Sequence, residues 1–494
     1  MSAITSKFGS STLRRTIPLW INGRQRVTSN TFPVQNAVTE KPTYDCSTAS
    51  EKDADDALAA AVSAFPAWSS TKPAVRRDIL LRSADIVDKR RNELEETIRA
   101  EIGADAAFAR FNTATTAEMF RDAAGRVSQS LTGQIPHPQE NGQSALLYKV
   151  PYGVVLAIAP WNAPYLLGVR AALYPIAAGN SCILKGAEMS PRCHHHIGEI
   201  FHEAGLPSGV LNILYTERQH SRVITNRLIH APPVRKVNFT GSSTVGSFIA
   251  AEAGQALKPT LMELGGKASA IVMEDADIEL AARECARGAF VNSGQACMST
   301  ERIIVSKKII EPFRQAFLKE VEGWDSGIGK PCILIQNAAV ERNRRLAKDA
   351  ETKGARILAG NPYTSEALPD SGEESQLRLC PMVIEGVDKN MDVYYEESFG
   401  PIVSLYGIDS EEEAVKLAND TEYGLSCSIF TTNLGSGLKL ARQIETGAVH
   451  INSMSVHDEA ALAHGGQKNS GWGRFNAEWG INEFIQPKVV TYMD

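Results

Sequence analysis

No acidic residue precedes Glu40, whereas Lys7, Arg14 and Arg15 sit there among serines and threonines. That composition is faintly that of a mitochondrial transit segment. The preferred reading is a loose N-terminal arm ahead of the strand-like run Pro18-Leu19-Trp20-Ile21, with a cytoplasmic location expected. Paired cysteines are lacking as well. The eight cysteines, from Cys46 to Cys427, show neither zinc spacing nor the density of a secreted disulfide scaffold, which suits a reducing compartment. A dominant charge sign is missing: 51 basic against 57 acidic residues give a net charge of −6, which argues against a nucleic-acid or anionic-membrane surface as the main partner. An uninterrupted apolar run is missing too. Val150 to Val169 is free of charge, but Pro151, Pro160, Pro164 and Asn162 break it, and in hydrocarbon they would leave backbone groups unsatisfied.

What remains is an ordinary globular composition, 43% hydrophobic and 22% charged, over 494 residues, enough for two to four domains. Residues 51–68 and 73–110 carry helical spacing. From 150 onward strands alternate with helices. Val154–Ile158, Ser181–Leu184, Leu211–Leu214 and Val237–Phe239 read as strands, with helices at Leu166–Ala178, Cys193–Ala204 (stopped at Gly205) and Val245–Ala256 between or after them. A second series starts at Ala268–Met273 and runs to about 450, with an exposed loop expected at Gly360–Glu374. Repeated strand–helix units predict α/β architecture with a parallel sheet covered on both faces.

Five segments carry chemistry. Cys297, in Gly294-Gln295-Ala296-Cys297, is a candidate thiolate nucleophile among small residues, although a lone cysteine is more often core filler. Glu263, before Leu264 and two glycines, is a carboxylate where backbone and ligand can approach closely, or simply a solvated strand end. Asn162, in Ala159-Pro160-Trp161-Asn162-Ala163-Pro164 at the end of a buried strand, is a candidate oxyanion donor or a plain turn. Gly241-Ser242-Ser243-Thr244-Val245-Gly246, between strand and helix, suits a phosphate. It is neither a Walker loop nor G-x-G-x-x-G. Glu397 and Phe399, in Glu396-Glu397-Ser398-Phe399-Gly400, are candidates for ribose hydroxyls and a flat ring, or an acidic turn.

Taken in order, these segments resemble the aldehyde dehydrogenase superfamily from about Trp20 to Tyr492. The resemblance implies a Rossmann-like NAD domain (residues 17–131 and 151–262), an α/β catalytic domain (263–455) and a β oligomerisation arm (132–150 and 475–494), in a homodimer or homotetramer. It makes Cys297 the nucleophile, Glu263 the general base and Asn162 the oxyanion donor. It assigns Trp161, Lys185, Glu188, Gly241, Ser242, Gly246, Leu264, Glu397 and Phe399 to the cofactor. A thiohemiacetal, hydride transfer to nicotinamide and hydrolysis of a thioester would follow, with Glu263 expected to have a pKa raised toward neutrality. Glu188 favours NAD over NADP, since a carboxylate accepts from ribose hydroxyls and repels a 2′-phosphate.

Gly168-Val169-Arg170, Cys297-Met298-Ser299-Thr300-Glu301-Arg302 and Val456-His457-Asp458-Glu459 narrow the likeness to the salicylaldehyde and vanillin type, and so to an aromatic aldehyde. Arg170, Tyr165 and His464 are then candidate substrate residues, with a plain salt bridge the other reading of Arg170. Aliphatic aldehydes or semialdehydes, a catalytically silent relative, and an acylating enzyme using coenzyme A are the alternatives. Three departures stand out. Ala463-His464 replaces the usual Pro-Phe, Asp325–Ile335 looks short, and Gly186 replaces a proline, which is expected to loosen the ribose turn. Cys193-His194-His195-His196 is not expected to bind a metal, because consecutive helical residues diverge by about 100°. Cys182, Cys285 and Cys427 are expected in the core.

Overall fold

The computed structural model describes residues 15–324, 332–364 and 374–493. The first fourteen residues, most of the expected Gly360–Glu374 loop and most of Asp325–Ile335 lie outside the described residues. Two parallel-cored sheets organise the rest. In the first, five parallel strands run in the order Thr260–Glu263, Val234–Thr240, Val154–Ile158, Ser181–Lys185, Leu211–Leu214. Gly471–Trp472 adds antiparallel at one edge, and Leu19–Ile21 followed by Arg24–Arg26 at the other. Every residue of the Val154–Ile158 and Ser181–Lys185 strands is buried, which explains their continuous apolar runs: strands covered on both faces have no need to alternate.

The second sheet has seven strands, ordered Arg356–Ala359, Met382–Glu385, Ile402–Ile408, Thr300–Ser306, Ala268–Val272, Ser426–Phe430 and Ala448–Ile451. Only its Arg356–Ala359 edge is antiparallel. A third element is a two-stranded ribbon in which Gln143–Pro151 pairs antiparallel with Ile485–Met493 over nine residues each.

The helical stretch expected at 73–110 is three helices, Pro73–Lys89, Arg91–Ile102 and Ala106–Ser130. Arg90 leaves helical geometry at φ −97°, ψ 10°. Gly103, at φ 72°, ends the second helix in the left-handed conformation that glycine adopts without steric cost, and Asp105 caps the third by accepting from Phe108 N. Cys182, Cys285 and Cys427 are buried. Among the described residues no helix is long and apolar enough to cross a membrane.

Chain order reverses in the first sheet between Val154–Ile158 and Val234–Thr240. The connections from the first of these lead to Ser181–Lys185 on one side, and the later strands fill the other. In open α/β sheets a ligand crevice forms outside the carboxyl ends of the strands at such a switch point. Pro160–Asn162 and Gly241–Ser242 leave those two ends, so the topology itself predicts where the cleft lies.

Candidate active site

A cavity of about 800 Å³ occupies that position. Trp161, Asn162, Lys185, Glu188, Gly241, Ser242, Leu264, Cys297, Glu397 and Phe399 all line it. Residues scattered over 230 positions of sequence thus converge on one cleft. Gly246 does not line it: the first turn of the Ser243–Gln255 helix packs on Leu264, and a Cβ on Gly246 would overlap that side chain.

The outer half of the cleft suits a nucleotide. Ser242 caps the 13-residue Ser243–Gln255 helix by accepting from Val245 N at 3.4 Å, leaving a glycine-flanked helix start facing the cavity. Lys185 Nζ lies 3.8 Å from Glu188 Oε2, and burial lowers the lysine's pKa. Gly186 is closely packed. A Cβ there would lie 2.9 Å from both His194 and Tyr215, so the turn is glycine because the His194 ring fills the space. Arg218, Ser221 and Arg222 also line this end and were not foreseen, since no motif marks their helix, Arg218–His230. The Arg222 guanidinium stacks on Phe248 at 4.4 Å.

The inner half is set by two carboxylates. Glu397 Oε1 accepts from Gly266 N at 2.7 Å, and burial together with the nearby Glu301 pushes its pKa up to about 7. Glu301, which the sequence reading left without a role, receives Lys267 Nζ at 2.5 Å and the backbone N–H groups of Ser398 and Phe399 at 2.9 and 3.2 Å. It thereby fixes Phe399, at φ 45°, with its ring edge-on to Trp161 at 5.8 Å.

Cys297 follows the 3-10 turn Val291–Gly294, in which Asn292, Ser293 and Gly294 all have positive φ (50°, 62° and 72°). The turn is held from several sides. Asn292 Nδ2 donates to Asn162 O at 3.0 Å, Asn162 Nδ2 donates to Gln295 O at 3.0 Å, and Gln295 Nε2 donates to Ile333 O at 3.0 Å. Left-handed asparagine and serine store strain that such anchoring must offset. Cys297 Sγ donates to Glu263 Oε1 at 3.3 Å. Met298, Leu425 and Val456 form an apolar cluster beside it.

Glu263 differs from expectation. Its carboxyl is not raised toward neutrality but held down at about 2. Burial raises it, and the facing Arg170 guanidinium, with His464, outweighs that rise. Burial and Glu263 together push the Cys297 thiol well above its ordinary value. Arg170 is 1% exposed and ion-paired to Glu263 through Nη2 and to Asp458 through Nη1 at 2.8 Å, with its guanidinium 4.9 Å from the Phe475 ring centre. The salt-bridge reading therefore describes it, and neither terminal nitrogen points to the cleft. Tyr165 is also turned away: its hydroxyl meets His196 Nδ1 at 2.7 Å. His464 lies on the far side of Glu263 from Cys297, Nε2 3.2 Å from Glu263 Oε1 and Nδ1 3.8 Å from Asp458 Oδ1.

Of the histidine triplet, His196 does approach Glu93 and Glu199, with ligand atoms within 4.8 Å. Arg90 and Arg192 already ion-pair those carboxylates, and a guanidinium in that place opposes a metal ion.

The family model for the aldehyde dehydrogenase family matches residues 21–490. Vanillin dehydrogenase of Pseudomonas fluorescens is 40% identical over 96% of this chain and 97% of its own length. Salicylaldehyde dehydrogenase of Pseudomonas sp. (strain C18) is 37% identical over 96% of each. The crystal structure of a salicylaldehyde dehydrogenase from Pseudomonas putida G7 complexed with salicylaldehyde superposes with a TM-score of 0.91 at 36% identity, covering 97% of this chain and 98% of that one. With a thiol, a carboxylate and an amide gathered at the inner end of a dinucleotide-sized cleft, the chain belongs to the aldehyde dehydrogenase family and is an enzyme acting on aldehydes.

Proposed function

We propose that this enzyme oxidises an aromatic aldehyde to its carboxylic acid with NAD, through a thioester on Cys297. The observation that carries the reading is the Cys297–Glu263 contact of 3.3 Å at the inner end of the cleft. A nucleophile within reach of a carboxylate that can take its proton is the arrangement covalent acyl chemistry needs.

The cleft fits a nicotinamide dinucleotide. Glu188 and Lys185 would hold one ribose, Gly241, Ser242 and the helix start the pyrophosphate, and Glu397 the second ribose, with Leu264, Phe399 and Trp161 around the ring. Such a cofactor, when bound, supplies the hydride acceptor. The protein does the rest. Cys297 Sγ bonds to the aldehyde carbon, and the charge arising on oxygen is met by the Asn162 amide and the Cys297 backbone N–H, each such donor contributing about 3–4 kcal/mol. After hydride loss Glu263, ionised and buried, receives the proton of the water that cleaves the thioester. NAD over NADP rests on Glu188 and on Arg222 being engaged by Phe248.

For the aromatic substrate, the support is the names of the relatives and the apolar cluster of Met298, Leu425 and Val456 packed beside Cys297. Residues 17–131 with 151–262 are proposed as the cofactor domain and 263–455 as the catalytic domain. Residues 132–150 with 475–494 are proposed as the arm of a homodimer or homotetramer, because a ribbon with open edges calls for a partner. The test is NADH formation with salicylaldehyde, vanillin, benzaldehyde, hexanal and succinic semialdehyde. The expected result is the highest kcat/KM on the aromatic aldehydes and none with Cys297→Ala. Faster turnover of hexanal, or of any substrate with NADP, refutes the corresponding part.

A further inference from the structure

The turn that carries Cys297 is laced to residues 332–335 by a side chain that is not one of the reacting groups. Gln295 is 1% exposed. Its Nε2 donates to Ile333 O at 3.0 Å, and its Oε1 accepts from Ile335 N at 2.9 Å. Those two groups bracket Leu334, and a residue on a neighbouring parallel strand would bond them in the same way. The side-chain amide thus stands in for a peptide group. An ionised glutamate has no donor for Ile333 O, and methionine serves neither partner. Ile333 N adds a bond to Ser293 Oγ at 3.1 Å, and Leu334 N donates to Leu377 O at 2.7 Å, so the anchor is itself held.

The main-chain carbonyl of Gln295 has different partners. It accepts from Asn162 Nδ2 at 3.0 Å and from Asn292 Nδ2 at 3.3 Å. A carbonyl receives only donors, so this bond decides that the nitrogen end of the Asn162 amide lies here. It also uses one of the two amide hydrogens and leaves the other for a ligand in the cleft that Asn162 and Cys297 both line. The remaining contacts close a ring. Asn292 Nδ2 donates to Asn162 O at 3.0 Å, and Asn292 O accepts from Gln295 Nε2 and Gln295 N, each at 3.1 Å. At φ −90° and ψ 49° the Gln295 backbone lies outside helix and strand geometry, so these bonds, and no regular element, set where its carbonyl sits.

We propose that Gln295 is the positioning residue of the oxyanion site: its side chain fixes its carbonyl, and its carbonyl holds the Asn162 amide toward the oxygen that gains charge when Cys297 attacks. Gln295 acts through Asn162. The inference deepens the proposed function and rests on Asn162's part in it, but on neither the aldehyde nor the cofactor. An activated ester separates the two. Cys297, as the thiolate, bonds to the ester carbonyl carbon, and the C=O π pair moves to oxygen. As that pair returns, the bond to p-nitrophenolate breaks and the acyl group stays on sulfur. The intermediate is an oxyanion that the Asn162 donor stabilises. Iodoacetamide also forms an S–C bond, but by displacing iodide from a saturated carbon, with no oxyanion.

The test compares two rates on Cys297 of the full-length protein: the p-nitrophenolate burst with p-nitrophenyl acetate, and alkylation by iodoacetamide resolved by peptide mass spectrometry. Wild type is set beside Gln295→Met, Gln295→Glu, Asn162→Ala and the double variant Asn162→Ala with Gln295→Met, each checked for folding by thermal midpoint. Asn162→Ala should slow acylation about a hundredfold, as loss of one oxyanion donor does. Gln295→Met should slow it by about tenfold or more through a misplaced amide, with alkylation within about threefold of wild type. Gln295→Glu should come nearer the wild-type acylation rate at pH 6 than at pH 9, since only a protonated carboxyl donates to Ile333 O. The double variant should acylate no more slowly than Asn162→Ala. Equal slowing of acylation and alkylation in Gln295→Met overturns the proposal, and so does a double variant whose losses multiply. Asn162→Ala acylating at the wild-type rate overturns it too, and needs no Gln295 variant to fold. If acylation depends on Gln295 but no aldehyde is oxidised, the substrate reading fails and the inference stands. Aldehyde oxidation with acylation indifferent to Gln295 does the reverse.

Discussion

Gly266 stands against the carbonyl oxygen of Cys297 with no space for a methyl group between them. Its N–H meanwhile donates to Glu397, so one residue touches both the Cys297 backbone and the carboxylate at the proposed ribose site.

Gly266→Ala should therefore displace the Cys297 backbone and destabilise the protein as well. A shift of about 1 Å can cost roughly a hundredfold in rate. The expected outcome is a kcat/KM lower by about that factor together with a lowered thermal midpoint, read by steady-state kinetics and differential scanning calorimetry.

Arg170→Met leaves Glu263 and Asp458 buried without their cation. Breaking a buried pair from one side typically costs ~3–5 kcal/mol. In the wild type Glu263 is depressed, so its contribution is present above its ordinary range near 4.5 and lost as pH falls toward 2. Without the guanidinium burial dominates, the carboxyl rises, and stability then declines as pH rises. Urea denaturation should show a wider deficit at pH 8 than at pH 5.

Glu397, near 7, carries a proton through much of the weakly acidic range. At the proposed ribose site the ionised carboxylate is the stronger acceptor, so NADH is expected to bind more weakly at pH 6 than at pH 8, by up to about tenfold. Fluorescence titration checks this, and Glu397→Gln should flatten the dependence.

Gly168 and Gly186 flank the His194 ring. A Cβ on the first would sit 3.0 Å from His194 Cδ2 and on the second 2.9 Å from His194 Cγ. Gly186→Ala should destabilise by ~1–3 kcal/mol through overpacking. Adding His194→Ala should recover part of that loss, a non-additivity measurable by a double-mutant denaturation cycle.

Much of this site was readable before the fold was seen, because its chemistry hangs on element ends that local patterns mark. Asn162 follows a buried apolar strand, Ser242 opens a helix, and Cys297 sits in a stretch of small residues. The pairings across long separations were not readable. Arg170 meets Asp458 at a distance of 288 positions, and nothing in either neighbourhood announces it. The direction of the Glu263 shift depends on the same Arg170 facing it from 93 positions away, so it too was hidden. Tyr165 misled because its place on a helix says nothing of its direction, and His196 claims it. Arg90 breaks a continuous helical pattern through backbone geometry that composition does not encode.

The edge strand Gly471–Trp472 pairs with Thr260–Glu263, a strand synthesised about 200 residues earlier. At ribosomal speeds of about 5–20 residues per second, the nascent chain waits roughly 10–40 s with the Glu263 strand uncovered on one side. A stop codon anywhere between Glu263 and Gly471 would therefore leave the first sheet without that edge, and chaperones that shield open strand edges have their longest opportunity during that interval.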